Sequence, residues 1–240
     1  MQAILNIFQT GLIFKTFPNP TVAIIACSLC ILGCIAIPYL LGSINSAIIV
    51  SKLFFHEDVR THGSGNAGTT NVMRTYGKKA ALFTLLGDIL KTVISILIGG
   101  LFLGLYYKTG FSFGWGGYIA GFFCIVGHVW PIYYRFRGGK GVLCLASAVL
   151  MLSPIAFIPL IAIFIILVAF TRYISLGSVI SALLYPLILQ RLATFFVRPP
   201  DALCILLCII EALLIVFCHR TNIRRIMNGE ENKFSFKSKR

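Results

Sequence analysis

The stretch G-V-L-C-L-A-S-A-V-L-M-L-S-P-I-A-F-I-P-L-I-A-I-F-I-I-L-V-A-F, Gly141 to Phe170, carries no charge along its length. A helix rises 1.5 Å per residue, so one unbroken helix here would be about 45 Å long, against about 30 Å for the hydrocarbon core of a bilayer. Ser153-Pro154 supplies a break, because proline cannot donate into a helix and disfavours helical geometry just before it. Whether the stretch crosses once or turns back decides on which side everything after it lies.

Working outward, apolar runs near 22–54, 80–106, 115–134, 176–196 and 202–218 are each long enough to span. Pro38, Gly42 and Asn45 predict a kink or tilt in the first of them. If Gly141–Phe170 is a hairpin, one side of the membrane collects sixteen Lys and Arg: five in 52–79, three in 135–140, Arg172, and seven from Arg220 onward. The other side holds only Lys15, Lys108 and Arg198, while Lys91 and Arg191 lie within spans. A single crossing divides them nine against ten. Cytoplasmic loops carry the excess of basic residues, so the hairpin is selected. The expected fold is an all-α integral membrane protein of seven transmembrane helices, with the N-terminus outside and the C-terminus cytoplasmic.

Composition agrees. Of 240 residues, 58% are hydrophobic and 12% charged, and the mean hydropathy is +0.91; soluble domains carry about 25% charged residues. One transmembrane domain is expected over 22–235. It follows an extra interfacial or loosely inserted segment, 1–21, that ends at the Pro18-Asn19-Pro20 breaker, and it precedes a basic tail, 236–240. No cleavable signal is apparent, since residues 1–20 lack a basic opening and Asn6 and Gln9 interrupt the apolar run. The net charge of +14 sits in short loops between apolar segments, which is membrane topology rather than a nucleic-acid surface. It also suits anionic head groups or an anionic substrate. All eight cysteines lie in apolar runs, and the Cys27–Cys30 pair reads as helix filler rather than a metal or redox motif.

The hairpin puts every polar cluster on the cytoplasmic side. The first is H-G-S-G-N-A-G-T-T-N-V-M-R, His62 to Arg74. Its glycines let successive N–H groups turn toward one point, and its hydroxyls, amides and guanidinium can complete a cage around an anion. The second, R-F-R-G-G-K-G from Arg135 to Gly141, reads as a backbone nest beneath Lys140 or as a basic anchor for topology; Gly141 after the lysine rules out a Walker A loop. In the third, Thr171 to Ser178, Ser175 and Ser178 share a helix face and suit either a site or helix-end capping. In the fourth, His219 to Arg225, His219 and Asn222 face the same way if the helix continues, and His219 is a general base or a cap. Asp88 and Lys91, three apart within a span, are expected to pair as a brace. His128 is an interface, packed or functional histidine, Lys52 snorkels, and His56, Glu57 and Asp58 read as solvated. Three aspartates, Asp58, Asp88 and Asp201, cannot build a di-metal carboxylate site, so no metal is expected.

Seven motifs in order, G-S-I-N-S-A from Gly42, the His62–Arg74 loop, G-D-I-L-K-T from Gly87, G-H-V-W-P from Gly127, R-G-G-K-G from Arg137, R-Y-I-S-L-G-S from Arg172 and H-R-T-N-I from His219, resemble the bacterial integral-membrane acyl-phosphate:glycerol-3-phosphate acyltransferases, the PlsY family. The resemblance covers about residues 30–235. It implies that Ser64 and Arg74 are the essential pair of the first motif, and that Lys140 works above a cradle of Gly138, Gly139 and Gly141. It further implies a functional serine at Ser175 or Ser178, catalytic roles for His219 and Asn222, and support from Asn66, Asn71, Asp88, Lys91 and Glu231. Ala67 and Asn45 stand where proline is usual, and Thr221 where glutamate is common. The implied reaction moves a fatty acyl group from acyl phosphate to the 1-hydroxyl of glycerol 3-phosphate, giving lysophosphatidic acid and phosphate without a cofactor. The implied setting is the bacterial inner membrane, with a cytoplasmic active site, coupled to an enzyme that forms acyl phosphate.

Overall fold

The structure, a computed structural model, describes residues 19–103, 114–196 and 201–234. The first eighteen residues, Lys108, Arg198 and the 236–240 tail lie outside the described residues. The chain divides into two compact units, Met1–Leu152 and Ser153–Arg240.

The first unit opens with α1 (Pro20–Ser43), started by Asn19, whose side chain accepts the Thr21 N–H, with proline at the first helical position. The expected kink in the first span is a full break at Ile44-Asn45, beyond Pro38, which stays inside α1. Asn45 then caps α2 (Ser46–Phe55) by accepting the Ile48 N–H at 3.1 Å. A short 3-10 turn (Val59–Thr61) leads to α3 (Thr69–Tyr76), α4 (Lys78–Leu103) and α5 (Gly114–Val129). A second 3-10 turn (Ile132–Tyr134) precedes α6 (Val142–Leu152). Small residues let α1, α4 and α5 approach backbone to backbone, as membrane helices do. A Cβ on Gly42 would stand 2.1 Å from the Cys124 carbonyl oxygen, one on Gly127 2.2 Å from that of Tyr39, and one on Gly99 2.1 Å from that of Gly116.

The second unit holds α7 (Pro154–Thr171), α8 (Ile174–Phe196), α9 (Ala202–Cys218) and α10 (Arg220–Met227). Gly177 of α8 packs against Phe164 and Val168 of α7. The Gly141–Phe170 stretch is broken at Ser153, which leaves helical geometry at φ −150°, ψ 78°, with Pro154 starting α7.

Among the described residues, five helical stretches are long and apolar enough to cross a membrane, and six if the bent pair α9–α10 is one span. The 11-residue α6 is shorter than these, about 16 Å at 1.5 Å per residue. Leu29, Leu32, Leu53, Phe170 and Phe195 are each more than half exposed, which suits a lipid-facing surface. The protein is an all-α, multi-pass membrane protein.

Candidate active site

Asn71 builds the first polar loop. It is buried in α3, and its Oδ1 accepts the Ser64 N–H at 2.8 Å while its Nδ2 donates to the carbonyls of Val59 (3.0 Å) and His62 (2.9 Å). One amide side chain therefore satisfies three backbone groups of a loop that has no ladder of its own. Gly63, at φ 57°, turns the chain over that amide, and a Cβ there would meet Asn71 Oδ1 at 2.3 Å. Asn66 closes the next turn through its carbonyl, which accepts the Gly68 N–H at 3.0 Å. Ser64 and Arg74 are left exposed, and Thr69, in the first turn of α3, keeps a buried hydroxyl with no hydrogen-bond partner. His62 pairs with Glu57 at 2.9 Å.

The second loop lies against the first. A Cβ on Gly139 would stand 2.7 Å from the Ala67 carbonyl oxygen and 2.2 Å from His128 Nε2; one on Gly138 would strike the His128 carbonyl at 2.0 Å. The Gly138 and Gly139 N–H groups donate to the carbonyls of Val129 and His128, both at 3.1 Å. Those two amides are thus engaged in folding the loop onto the end of α5, and the glycines serve close approach. Lys140 is half-buried beside them, and Gly141 turns the chain into α6 at φ 79°.

Beneath both loops Asp88, Lys91 and His128 form a buried cluster. Lys91 Nζ lies 2.9 Å from Asp88 Oδ1 and from His128 Nδ1, and donates to the carbonyls of Gly42 (3.1 Å) and Ile44 (2.9 Å). Asp88 Oδ1 accepts the Ser46 hydroxyl at 3.0 Å. The pair sits across the break between α1 and α2, its cation on the carbonyl end of one helix and its anion at the amino end of the next, the polarity that helix dipoles favour. The break reaches the first loop through Asn45 Nδ2, 3.4 Å from the Ala67 carbonyl. Asp88, His128 and Cys144 bring ligand atoms within 4.8 Å of one another, a grouping the reading of cysteines as helix filler missed. The Lys91 ammonium lies against both the carboxylate and the imidazole of that group, where a bound cation would meet its charge.

In the second unit the hub is Glu231. Its Oε1 accepts Ser175 Oγ at 2.8 Å and Asn222 Nδ2 at 2.7 Å, and its Oε2 lies 3.2 Å from Arg225 Nε. The segment after α10 folds back to bring it there, turning at Gly229 and ending with the Phe234 N–H on the Arg172 carbonyl at 2.7 Å. This separates the two serines: Ser178 Oγ bonds its own helix at the Ile174 carbonyl, 2.9 Å away. The helix does not continue straight through His219, as the alignment of His219 with Asn222 required. His219 stands at a 56° bend between α9 and α10, and both side chains are buried. His219 Nδ1 lies 2.8 Å from the Ile215 carbonyl, which can only accept, so the neutral ring carries its lone pair on Nε2.

Two residues escaped the sequence reading. Glu211, 4% exposed within α9, is an acid in an apolar run, a signal that alone marks a position of interest. Arg60 reaches from the first loop to the second; a lone arginine between acidic and polar residues carries no such mark.

The profile of the family described as "Glycerol-3-phosphate acyltransferase" matches residues 32–229. A protein of that name from Clostridioides difficile is 38% identical over 201 residues, covering 84% of this chain and 94% of the relative. One from Halalkalibacterium halodurans is 41% identical over 199 residues, covering 83% and 93%. The crystal structure of PlsY (YgiH), an integral membrane glycerol 3-phosphate acyltransferase in its glycerol 3-phosphate form, superposes with a TM-score of 0.74 at 30% identity, covering 85% of this chain and 96% of PlsY. Its lysophosphatidic acid form gives 0.71 at 29% identity. With the glycine loops, the Lys140 turn and the His219 bend all inside the matched residues, the chain belongs to the glycerol-3-phosphate acyltransferase family.

Proposed function

We propose that this protein transfers a fatty acyl group from an acyl phosphate to the 1-hydroxyl of glycerol 3-phosphate. The hydroxyl oxygen attacks the acyl carbonyl carbon, the bond from that carbon to the phosphate oxygen breaks, and phosphate leaves with the electron pair. The products are lysophosphatidic acid and inorganic phosphate. The observation that carries the reading is the pair of abutting glycine-rich loops, one presenting Ser64 and Arg74 and the other Lys140. Both substrates are phosphorylated, so a bidentate guanidinium and an ammonium point charge suit them. The donor is already activated, which leaves positioning and charge stabilisation as the protein's work.

Ser64 and Arg74 act at the reacting groups, Lys140 and Ser175 hold phosphate, and the unpartnered Thr69 hydroxyl is a further donor for a substrate oxygen. Ser178, bonded to its own helix, is left as packing. The glycines at 138, 139 and 141 aim Lys140. Asn222 acts with His219, and the His219 tautomer fits a ring that takes the hydroxyl proton on Nε2; the alternative acceptor is a substrate phosphate. Asn66, Asn71, Asp88, Lys91 and Glu231 hold these groups in place. The proposed setting is a bacterial inner membrane, with seven spans, an outer N-terminus and a cytoplasmic site, supported by the charge asymmetry of the loops. The donor comes from an enzyme that makes acyl phosphates.

The test is phosphate release from a long-chain acyl phosphate by the purified protein in lipid vesicles. Release that requires glycerol 3-phosphate, with lysophosphatidic acid formed in equal amount and lost in Ser64→Ala, is expected. Glycerol 3-phosphate uptake without acyl transfer would make the protein a transporter and defeat the proposal. A His219→Gln variant that keeps the pH profile of the parent with modest loss would assign the proton to the substrate phosphate.

A further inference from the structure

The second loop contains two consecutive residues in the left-handed region that are not glycine, Arg135 at φ 55° and Phe136 at φ 57°. A Cβ disfavours that geometry, and such strain persists only where surrounding contacts over-determine it. Arg60 supplies contacts at both edges of the strained pair. Its Nη1 donates to the Tyr134 carbonyl at 3.2 Å and to the Arg137 carbonyl at 3.0 Å. Its remaining donors grip Asp58, Nε to Oδ1 at 2.9 Å and Nη2 to Oδ2 at 2.7 Å. The backbone beneath is fixed in turn: Asp58 Oδ1 accepts the Arg60 N–H at 3.0 Å, Ser51 Oγ accepts the Val59 N–H at 3.1 Å, and Asn71 holds the Val59 carbonyl. One planar fork therefore links the turn that carries the first loop to the strained turn that leads into Gly138, Gly139 and Lys140.

We propose that Arg60 is a positioning residue for the acyl-transfer reaction: it holds the 134–137 turn in its strained form and so sets Lys140 for the substrate phosphate. The inference rests on the acyltransferase reading above. A surface ion pair alone would have little consequence; here the carbonyl contacts give Arg60 a shape requirement as well as a charge. A lysine, with one nitrogen on a flexible stem, cannot serve both carbonyls and the carboxylate.

Steady-state kinetics of the full-length protein in lipid vesicles, with a long-chain acyl phosphate and glycerol 3-phosphate, test this. Arg60→Gln and Arg60→Lys raise KM for glycerol 3-phosphate and lower kcat/KM about ten- to a hundredfold, the scale of a small misplacement, with thermal unfolding little changed. Adding Phe136→Gly to Arg60→Gln recovers part of the loss, because glycine takes positive φ without being held there. Arg60→Lys at the parent kcat/KM, or an Arg60→Gln defect that Phe136→Gly leaves untouched, overturns the proposal. If Arg60→Gln does not fold, Arg60→Lys and Asp58→Asn decide it, alone and with Phe136→Gly: raised KM with recovery supports it, and parent KM in both sinks it. Absence of glycerol 3-phosphate-dependent turnover in the parent protein would instead sink the acyltransferase reading.

Discussion

In the first unit, the polar side chains around the glycine loops bond mainly to backbone: Asn71 to Val59, Ser64 and His62, Lys91 to Gly42 and Ile44, and Arg60 to Tyr134 and Arg137. In the second unit, Ser175, Asn222 and Arg225 meet a single carboxylate, Glu231. The difference separates two ways of preparing a polar site in a membrane protein. Where amides and carbonyls are satisfied by supporting side chains, Ser64 and Arg74 stay exposed. Where Ser175 and Asn222 are satisfied by an internal anion, the proposed substrate would have to share or replace that carboxylate. Damage to the buried supports of the first arrangement, Asn71 and Lys91, should therefore appear first as lost folding, and damage to the second as altered substrate use.

The largest effect is expected from Lys91→Met. It strands the buried Asp88 carboxylate and frees two helix-end carbonyls, a loss of about 3–5 kcal/mol for a broken buried pair. Thermal unfolding in detergent reads it, and adding Asp88→Asn should return part of the loss. A Lys91→Met protein as stable as its parent would mean that the break between α1 and α2 is held by packing alone. Next comes Arg74→Lys, which keeps the charge but loses the planar fork. We expect kcat/KM to fall about a hundredfold, the scale of one lost charge-stabilising donor, with stability unchanged. A matching drop in stability would place Arg74 among the supports.

The sequence carried the all-helical, multi-pass architecture because apolar spans are governed by the bilayer, which acts on each segment independently. The break at Ser153-Pro154 was legible in the same way: proline writes it locally. The break at Ile44-Asn45 falls at one of the three residues expected to bend the span, Asn45, which caps the next helix; that it is a full break rather than a kink was not legible, because the Lys91 ammonium that takes up the freed Gly42 and Ile44 carbonyls lies on another helix. Ser64, Arg74 and Lys140 are marked in the sequence by the glycines around them. Asp58 was read as solvated and is instead half-buried under Arg60, because a bidentate clamp depends on two carbonyls 74 and 77 residues away. Ser175 and Ser178 share a face in any helix, and only the returning segment with Glu231 distinguishes them.

That distinction gives the third prediction. Ser175→Ala removes a hydrogen bond to a carboxylate, worth about 1.5–3 kcal/mol, and should raise KM for glycerol 3-phosphate by about tenfold or more. Ser178→Ala loses only a bond within its own helix and should leave the kinetics unchanged, at a cost to stability of about 0.5–1.5 kcal/mol. Glu231→Gln sharpens the comparison, since it removes the charge while leaving an amide to hold Asn222. A lowered KM would show that the carboxylate competes with the substrate's phosphate, and a raised one that it orients the donors.

The smallest effect concerns pH. The Arg60 side chain, hydrogen-bonded to Asp58, holds that carboxyl below its ordinary value, with burial opposing. A carboxyl depressed by folding adds stability above its unfolded pKa, and that stability drains away as pH falls through the lower folded value. From pH 5 to 8 the clamp is therefore intact, and it releases only below about pH 4, where an unfolded aspartate begins to take up its proton. The partial exposure of both side chains limits the contribution to about 0.2–1 kcal/mol. Midpoints of thermal unfolding for the parent and for Asp58→Asn should thus differ slightly at neutral pH and converge in acid. The same convergence should appear in KM for glycerol 3-phosphate if the clamp acts through Lys140, because once Asp58 is protonated the parent has lost the charge that sets it apart from the Asp58→Asn variant. Curves that stay parallel down to pH 3 would show that Arg60 is held by its carbonyls and owes nothing to Asp58.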